Sequence, residues 1–337
     1  MLNGHIKAYS NLTAQEMVAI VIAQSKERVP QPLVFKNAVK DWPIVVAANH
    51  SDGAFCDYLK HFDAGVGVYA YQCEAKYKGR FFYTSSHTQK NFSQVKTHLK
   101  DIFCQLLNQR SENQPSLYMG STTLGYCLPN LQQENNLPML ELAPLVSIWL
   151  GNQSEVAAHY DVPDNIACVV AGKRQFTLFE PQLIDCLYPG PIDFTPAGQV
   201  VSMVDFSKPD YVKHPKFKTA LEGAKFVELA PGDAIYIPSM WWHHVKSTES
   251  INGLINYWWR QSEAYLGLPT DALLHAILSV GHLPSAQKQA YKAVFDHYVF
   301  SDNAHSHINQ DALGSLGEID EEMARKLRWQ IIQKLNS

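Results

Sequence analysis

Between residues 145 and 260 the chain reads as a succession of short apolar runs. They lie at 146–150, 156–161, 166–171, 175–179, 225–229, 234–237, 243–247 and 253–259, with Gly, Pro, Asn and Asp between them. Runs of this length suit strands and are short for core helices. Eight of them in one region predict a barrel or a jelly roll. A longer excursion, 181–223, interrupts the series and carries four Pro in its first sixteen residues. It reads as a surface insert of the kind that carries substrate contacts.

The flanks are mixed. Residues 13–27 predict a helix capped by Thr13, with Met17, Ile20 and Val21 at helical spacing, and Pro30 and Pro32 break it. A short strand is expected at 33–35. Residues 44–48 suit either a strand or the start of a helix, and 52–62 predicts a helix. The stretch 65–72 alternates as a strand does, and 80–83 is a further apolar strand. Residues 93–108 predict an amphipathic helix through Val95, Leu99, Ile102, Phe103 and Leu106. A strand starts at Leu117, and 122–140 reads as loop. After Ser262 the pattern turns helical, with stripes through Leu273–Leu278, through Tyr291–Tyr298, and through Met323, Leu327, Ile331 and Leu335. The expected class is mainly β with flanking helices. The expected division is a β-rich domain over 1–262 and a C-terminal helical region over 263–337. That region should pack on the barrel or form a dimer interface.

The 337 residues suffice for a sizeable core, and 46% hydrophobic against 18% charged is a globular balance rather than a disordered one. A net charge of −4 supplies no general attraction to nucleic acid or anionic membrane. The six Cys (56, 73, 104, 127, 168 and 186) show no C-x-x-C or zinc spacing, so they are expected to be reduced thiols of a cytoplasmic protein. Residues 1–10 are polar and predict no secretory leader, and no apolar run approaches the ~20 residues of a membrane span.

The chemistry centres on His159-Tyr160-Asp161. Side chains two apart on a strand share a face, so an imidazole and a carboxylate converge. A third ligand is expected from the distant W-W-H-H stretch at 241–244. His243 and His244 point to opposite faces there, and strand parity alone does not choose between them. Two His and one carboxylate leave three positions of an octahedral ion open, which suits non-haem Fe(II) with a chelating cosubstrate and O2. Arg174 shares a strand face with Phe176 and Leu178. A cation on an apolar face requires a buried anion, and its planar fork grips a carboxylate with two bonds. The C5 carboxylate of 2-oxoglutarate would satisfy it, and so would an internal salt bridge.

HYDVPDN, then VAGKRQFTLFEP, CLYPGP, VDFSKPDY, PGDAIYIPSMWWHHV and NYWW together resemble the JmjC-type, cupin-like Fe(II)- and 2-oxoglutarate-dependent oxygenases. Within them the likeness is to the asparaginyl hydroxylases of hypoxia-inducible factor. It is firm from Leu117 to Trp259, with a weaker echo reaching back to about residue 30 in LVFKNAVKDWP and GRFFY. The resemblance implies a double-stranded β-helix core. It implies that His243 joins His159 and Asp161 as the metal and catalytic set, and that Tyr118 and Arg174 bind the far carboxylate of 2-oxoglutarate. Asn165 and Asn256 match two asparagines near its metal-bound end, and Trp258 matches an aromatic of the site. It implies hydroxylation of a C–H bond with release of succinate and CO2, and a homodimer through the C-terminal helices.

The chain also departs from that pattern. Arg174 replaces a lysine. Val156 replaces a threonine that touches the cosubstrate, so one hydrogen bond is missing. Val200 and Val201 replace an Arg-Gln pair that contacts peptide, so that substrate specificity does not carry over. Two other readings stand beside the oxygenase: a cupin-fold binding protein without turnover, and a cupin enzyme on a different metal. The expected substrate is a protein side chain, with a small molecule or a modified nucleotide next. The lack of basic excess weakens the case for a histone or an RNA substrate.

Overall fold

Strands form where the apolar runs lie. A computed structural model describes residues 4–108, 114–196 and 198–336; part of the polar start of the chain, and Ala197 of the excursion, lie outside them. Among the described residues fourteen strands make two sheets. They are β1 (Lys7–Ser10), β2 (Leu33–Lys36), β3 (Gly67–Cys73), β4 (Arg80–Phe81), β5 (Phe92–His98), β6 (Ser116–Thr123) and β7 (Leu145–Gly151), followed by β8 (Ser154–His159), β9 (Asp164–Ala171), β10 (Arg174–Phe179), β11 (Lys225–Leu229), β12 (Ala234–Ile237), β13 (Trp242–Ser247) and β14 (Asn252–Trp259). The larger sheet runs β1-β2-β12-β9-β14-β7-β6-β3-β5 and the smaller β11-β10-β13-β8-β4.

From β7 onward the chain passes back and forth between the sheets. β7, β9, β12 and β14 belong to the larger, and β8, β10, β11 and β13 to the smaller. This is the jelly-roll, double-stranded β-helix arrangement. Its inner core sets Ala167, Val169, Ile235, Ile237 and Leu254 of the larger sheet against Phe176, Leu178 and Leu229 of the smaller. The other face of the larger sheet, with Ile166, Cys168, Val170, Tyr236 and Ile255, is covered by Met17 and Val21, Ile44 and Val45, and Phe55 and Leu59 from three N-terminal helices. β9 is therefore buried at every position. That double burial explains why the IACVVA stretch of β9 is an unbroken apolar run rather than an alternating one.

Several expectations change. Residues 93–108 are not one helix. Phe92–His98 pairs antiparallel with β3, and the helix starts only at Leu99 and runs to Asn108. Only the second half has an apolar face to bury, through Leu99, Ile102, Phe103 and Leu106. Residues 44–48 lie in a helix, Pro43–His50, which opens on Pro43 at its first position, where a missing N–H costs no hydrogen bond. The stretch 122–140 holds a one-turn helix, Leu124–Cys127. The strand expected at 80–83 is only two residues long, and Tyr83 makes an isolated bridge to Lys90. The excursion 181–223 is no loose surface insert. Leu187, Val204, Phe217 and Ala220 are buried with Ala158, Phe179 and Trp242, so it forms a packed layer on the smaller sheet.

The chain divides into two compact units, Met1–Arg260 and Gln261–Ser337. The second is helical, with Pro269–Ser279, Ser285–Tyr298 and Glu321–Leu335. Among its described residues only Ala304 and Ala324 are buried hydrophobics. No helix of the described residues is long and apolar enough to cross a membrane. All six cysteines are free thiols, four of them buried.

On the face of β13 opposite His243, His244 Nε2 lies 3.2 Å from Glu155 Oε1 on β8, and Ser207 Oγ donates to Glu155 Oε2 at 2.8 Å. Burial alone would raise the Glu155 carboxyl. The hydrogen bond and charge of His244, with Ser207 and Arg80, outweigh burial and hold it down at about 2. This folded value lies below the ordinary 4.5, so the carboxylate contributes stability above pH 4.5 that is lost as pH falls toward 2. Glu155→Ala strands a buried imidazole and should cost about 3–5 kcal/mol in urea unfolding at pH 7. Glu155→Gln should flatten the loss of stability between pH 4.5 and 2. Equal acid profiles for Gln and wild type would exclude this account.

Candidate functional site

Register places the two imidazoles. β13 pairs antiparallel with β8 so that His243 stands directly opposite His159, with a bulge immediately after His243. Their ring centroids are 4.3 Å apart. His159 Nδ1 donates to the Ala157 carbonyl at 2.9 Å, and His243 Nδ1 to the Trp241 carbonyl at 3.0 Å. With each Nδ1 proton committed to backbone, each Nε2 keeps its lone pair free, as a metal ligand requires. Burial, with His159 alongside, pushes His243 down to about 4, so its imidazole is neutral at pH 7.

Asp161 lies two residues past His159, beyond the end of β8 rather than on it. The shared face of a strand therefore does not position it. The Met240 N–H donates to the Asp161 carbonyl at 2.8 Å and Ser239 Oγ to the Val162 carbonyl at 2.5 Å. These bonds tie the turn after β8 to the segment that leads into β13. Asp161 Oδ2 then sits 3.6 Å from His243 Nε2. Because that imidazole is neutral, the contact is two ligands facing one point rather than an ion pair. His159, Asp161 and His243 offer one donor atom each, all within 4.8 Å of one another. Among the described residues this is the one cluster of His, Cys, Asp or Glu that could hold a metal ion. His244 faces away, toward Glu155.

These three open into a cavity of about 700 Å³, and the structure brings all eight residues singled out in the sequence to its wall: Tyr118, His159, Asp161, Asn165, Arg174, His243, Asn256 and Trp258. Arg174 reaches it because β10 starts immediately after a tight turn at Gly172. Gly172 has φ +67°, and a Cβ there would stand 2.3 Å from Asn252 Oδ1, so only Gly fits. Arg174 is 3% exposed, and no carboxylate of the described residues pairs with it. Among the described residues the internal salt bridge that could have satisfied it is not there. Burial lowers its guanidinium from the ordinary value, an effect opposed by Tyr118. Burial in turn raises the Tyr118 phenol, which stays a neutral hydroxyl.

Nine buried side-chain polar atoms lack a partner among the described residues, and four of them belong to this cavity: Asn165 Oδ1, Arg174 Nε, Asn256 Nδ2 and Trp258 Nε1. Each such atom costs about 1–3 kcal/mol when left unpaired. Their concentration at one place marks a site shaped for a polar ligand. The rest of the inner wall is apolar, with Val156, Ala167, Phe176, Ile237, Val245 and Leu254. Reading the sequence missed Trp149, Tyr71, Gln94 and Gln199, which also line the cavity. Trp149 lies in the apolar run 146–150, and no spacing rule sets it apart from a core aromatic.

A cupin-like domain matches residues 23–265, well over half of the chain. JmjC domain-containing protein D of Dictyostelium discoideum is 28% identical over 240 residues, 64% of this chain and 49% of that protein. Lysine-specific demethylase JMJ31 of Arabidopsis thaliana is 30% identical over 118 residues, 35% of this chain and 21% of that protein. HSPB1-associated protein 1 of Homo sapiens is 28% identical over 134 residues, 39% of this chain and 27% of that protein. The chain thus spans between about a fifth and a half of the length of these relatives. It belongs to the cupin-like domain family, in its JmjC type, a family of iron- and 2-oxoglutarate-dependent oxygenases.

Calorimetry with Mn(II) should find one site per chain in the wild type. Asp161→Ala or His243→Ala should weaken it by more than about a hundredfold, since changes outside the ligand set already cost 10–100-fold. His244→Ala should leave the Mn(II) stoichiometry unchanged, and loss of the site there would show that His244, not His243, completes it.

Proposed function

We propose that the chain is an Fe(II)- and 2-oxoglutarate-dependent dioxygenase that hydroxylates a C–H bond of a protein side chain, with release of succinate and CO2. One observation carries the reading: a buried, uncompensated Arg174 shares a 700 Å³ cavity with a His-Asp-His cluster. A dicarboxylate that also chelates a metal satisfies both. His159 Nε2, His243 Nε2 and an Asp161 oxygen would hold Fe(II). This donor set fits iron better than the thiolate-rich sets that structural zinc favours. When bound, the ion with its cosubstrate supplies the O2 chemistry that no side chain offers.

The residues of the chain do the binding and the exclusion of water. Arg174 and the neutral Tyr118 hydroxyl take the far carboxylate of 2-oxoglutarate through charge-assisted bonds. Asn256 Nδ2 and Trp258 Nε1 are donors still open in the cavity and serve oxygens nearer the metal. Val156 cannot hydrogen-bond, so Arg174 and Tyr118 carry more of the cosubstrate's affinity. The apolar inner wall keeps bulk water from the reacting carbon. No protein general base is needed at a C–H bond.

Fe(II)-loaded protein under air should release succinate from 2-oxoglutarate slowly without added substrate, and Asp161→Ala should release none. Arg174→Gln should raise the KM for 2-oxoglutarate by about tenfold or more, the scale of a lost buried charge pair. Absence of both succinate release and 2-oxoglutarate binding to Mn(II)-loaded wild type would sink the reading.

The helical unit supports a second proposal, a homodimer. Leu273, Leu274, Ile277, Leu278, Tyr298, Phe300, Trp329, Ile331 and Leu335 are all exposed on it, and exposed apolar side chains gathered on one unit suit a protein–protein contact. Light scattering should give twice the chain mass, and Ile331→Glu with Leu335→Glu should shift it toward the monomer. A monomeric wild type would dismiss the proposal.

A further inference from the structure

Trp149 lies on β7 at the wall of the cavity. Its indole Nε1 donates to Asn256 Oδ1 at 2.7 Å. Asn256 is 1% exposed, and its Nδ2 has no protein partner. A primary amide turned half a revolution exchanges its acceptor for its donor, and heavy-atom positions barely distinguish the two. Which end the cavity meets is set by what holds the other end. An indole can only donate, so it accepts the amide in one orientation alone, with Oδ1 toward the ring and Nδ2 left for a ligand. The same ring meets Trp258 edge-on at 5.8 Å and Tyr118 at 5.9 Å. It therefore touches three of the residues to which ligand binding has been assigned.

We propose that Trp149 is a positioning residue for the cosubstrate, its N–H locking the Asn256 amide so that a donor, not a carbonyl, faces the ligand's oxygens. The proposal rests on the oxygenase reading. A carbonyl in that place would oppose a carboxylate, lone pair against lone pair. Phenylalanine at 149 would keep an aromatic wall and lose the lock. A purely structural Trp149 would affect stability without depending on Asn256.

The test is a double-mutant cycle read by calorimetry of 2-oxoglutarate binding to the Mn(II)-loaded full chain. Trp149→Phe and Asn256→Ala should each weaken binding by roughly tenfold, the scale of one misdirected buried hydrogen bond. The double variant should bind no more weakly than Asn256→Ala alone. Additive losses, or an unchanged affinity in Trp149→Phe, overturn the proposal. Failure of the wild type to bind 2-oxoglutarate overturns the oxygenase reading and this inference with it. If Trp149→Phe does not hold Mn(II), the indole N–H signals of the Zn(II)-loaded wild type decide. One of them should be protected from exchange, move when 2-oxoglutarate is added, and lose its protection in Asn256→Ala. If no signal does all three, the proposal is wrong.

Discussion

The site depends on the register of one strand pair. β13 lies against β8 with His243 opposite His159, and a slip of one residue would put His244 there and turn His243 toward the excursion. Two features pin the register. The Glu155–His244 contact on the far side is satisfied only in this alignment, and the bulge after His243 locally resets the pairing. The near face of β13 is left for a ligand because the far face already has its polar partners.

The two faces handle charge in opposite ways. Behind the sheet, His244, Glu155 and Ser207 close on one another. In front, no carboxylate of the described residues pairs with the buried Arg174, and four polar atoms, its Nε among them, stay open. Burying one unpaired ion costs several kcal/mol even after relaxation, a large part of the ~5–15 kcal/mol by which a domain is stable. The jelly roll tolerates this because its inner core and its helix-covered outer face are both extensive. The excursion adds to that support. Val201 bridges to His159 and the Ser202 N–H donates to the Ala158 carbonyl at 2.7 Å, so the strand carrying the first histidine is held on a second side.

The sequence by itself determined the strands of the core and Arg174 of the cavity, and with family likeness seven more of the residues around it. Short apolar runs between turn residues have few alternatives once both sheet faces must be covered, and β11 and β12 fall on the expected boundaries. Arg174 was readable because a cation in phase with Phe176 and Leu178 has to be buried. Tyr118, Asn165, Asn256 and Trp258 were readable only through likeness to a family, since no periodicity separates them from core polar residues. Local pattern misled at 93–108, where a strand and a helix share one apolar phase until β3 claims the first half. It misled again at 181–223, where Pro-rich composition hid buried Leu187 and Phe217.

Only the tertiary structure decided the rest, because contact between distant segments leaves no local trace. The choice of His243 over His244, which strand parity left open and family likeness implied, has its physical cause in pairing between strands some eighty residues apart. Asp161 is positioned by Ser239 and Met240, not by the strand that precedes it. The lack of any salt bridge to Arg174 among the described residues, and the bond that turns Asn256 on Trp149, are facts about which atoms meet. Residue type says that such groups need partners; the fold decides which of them are left waiting for a ligand.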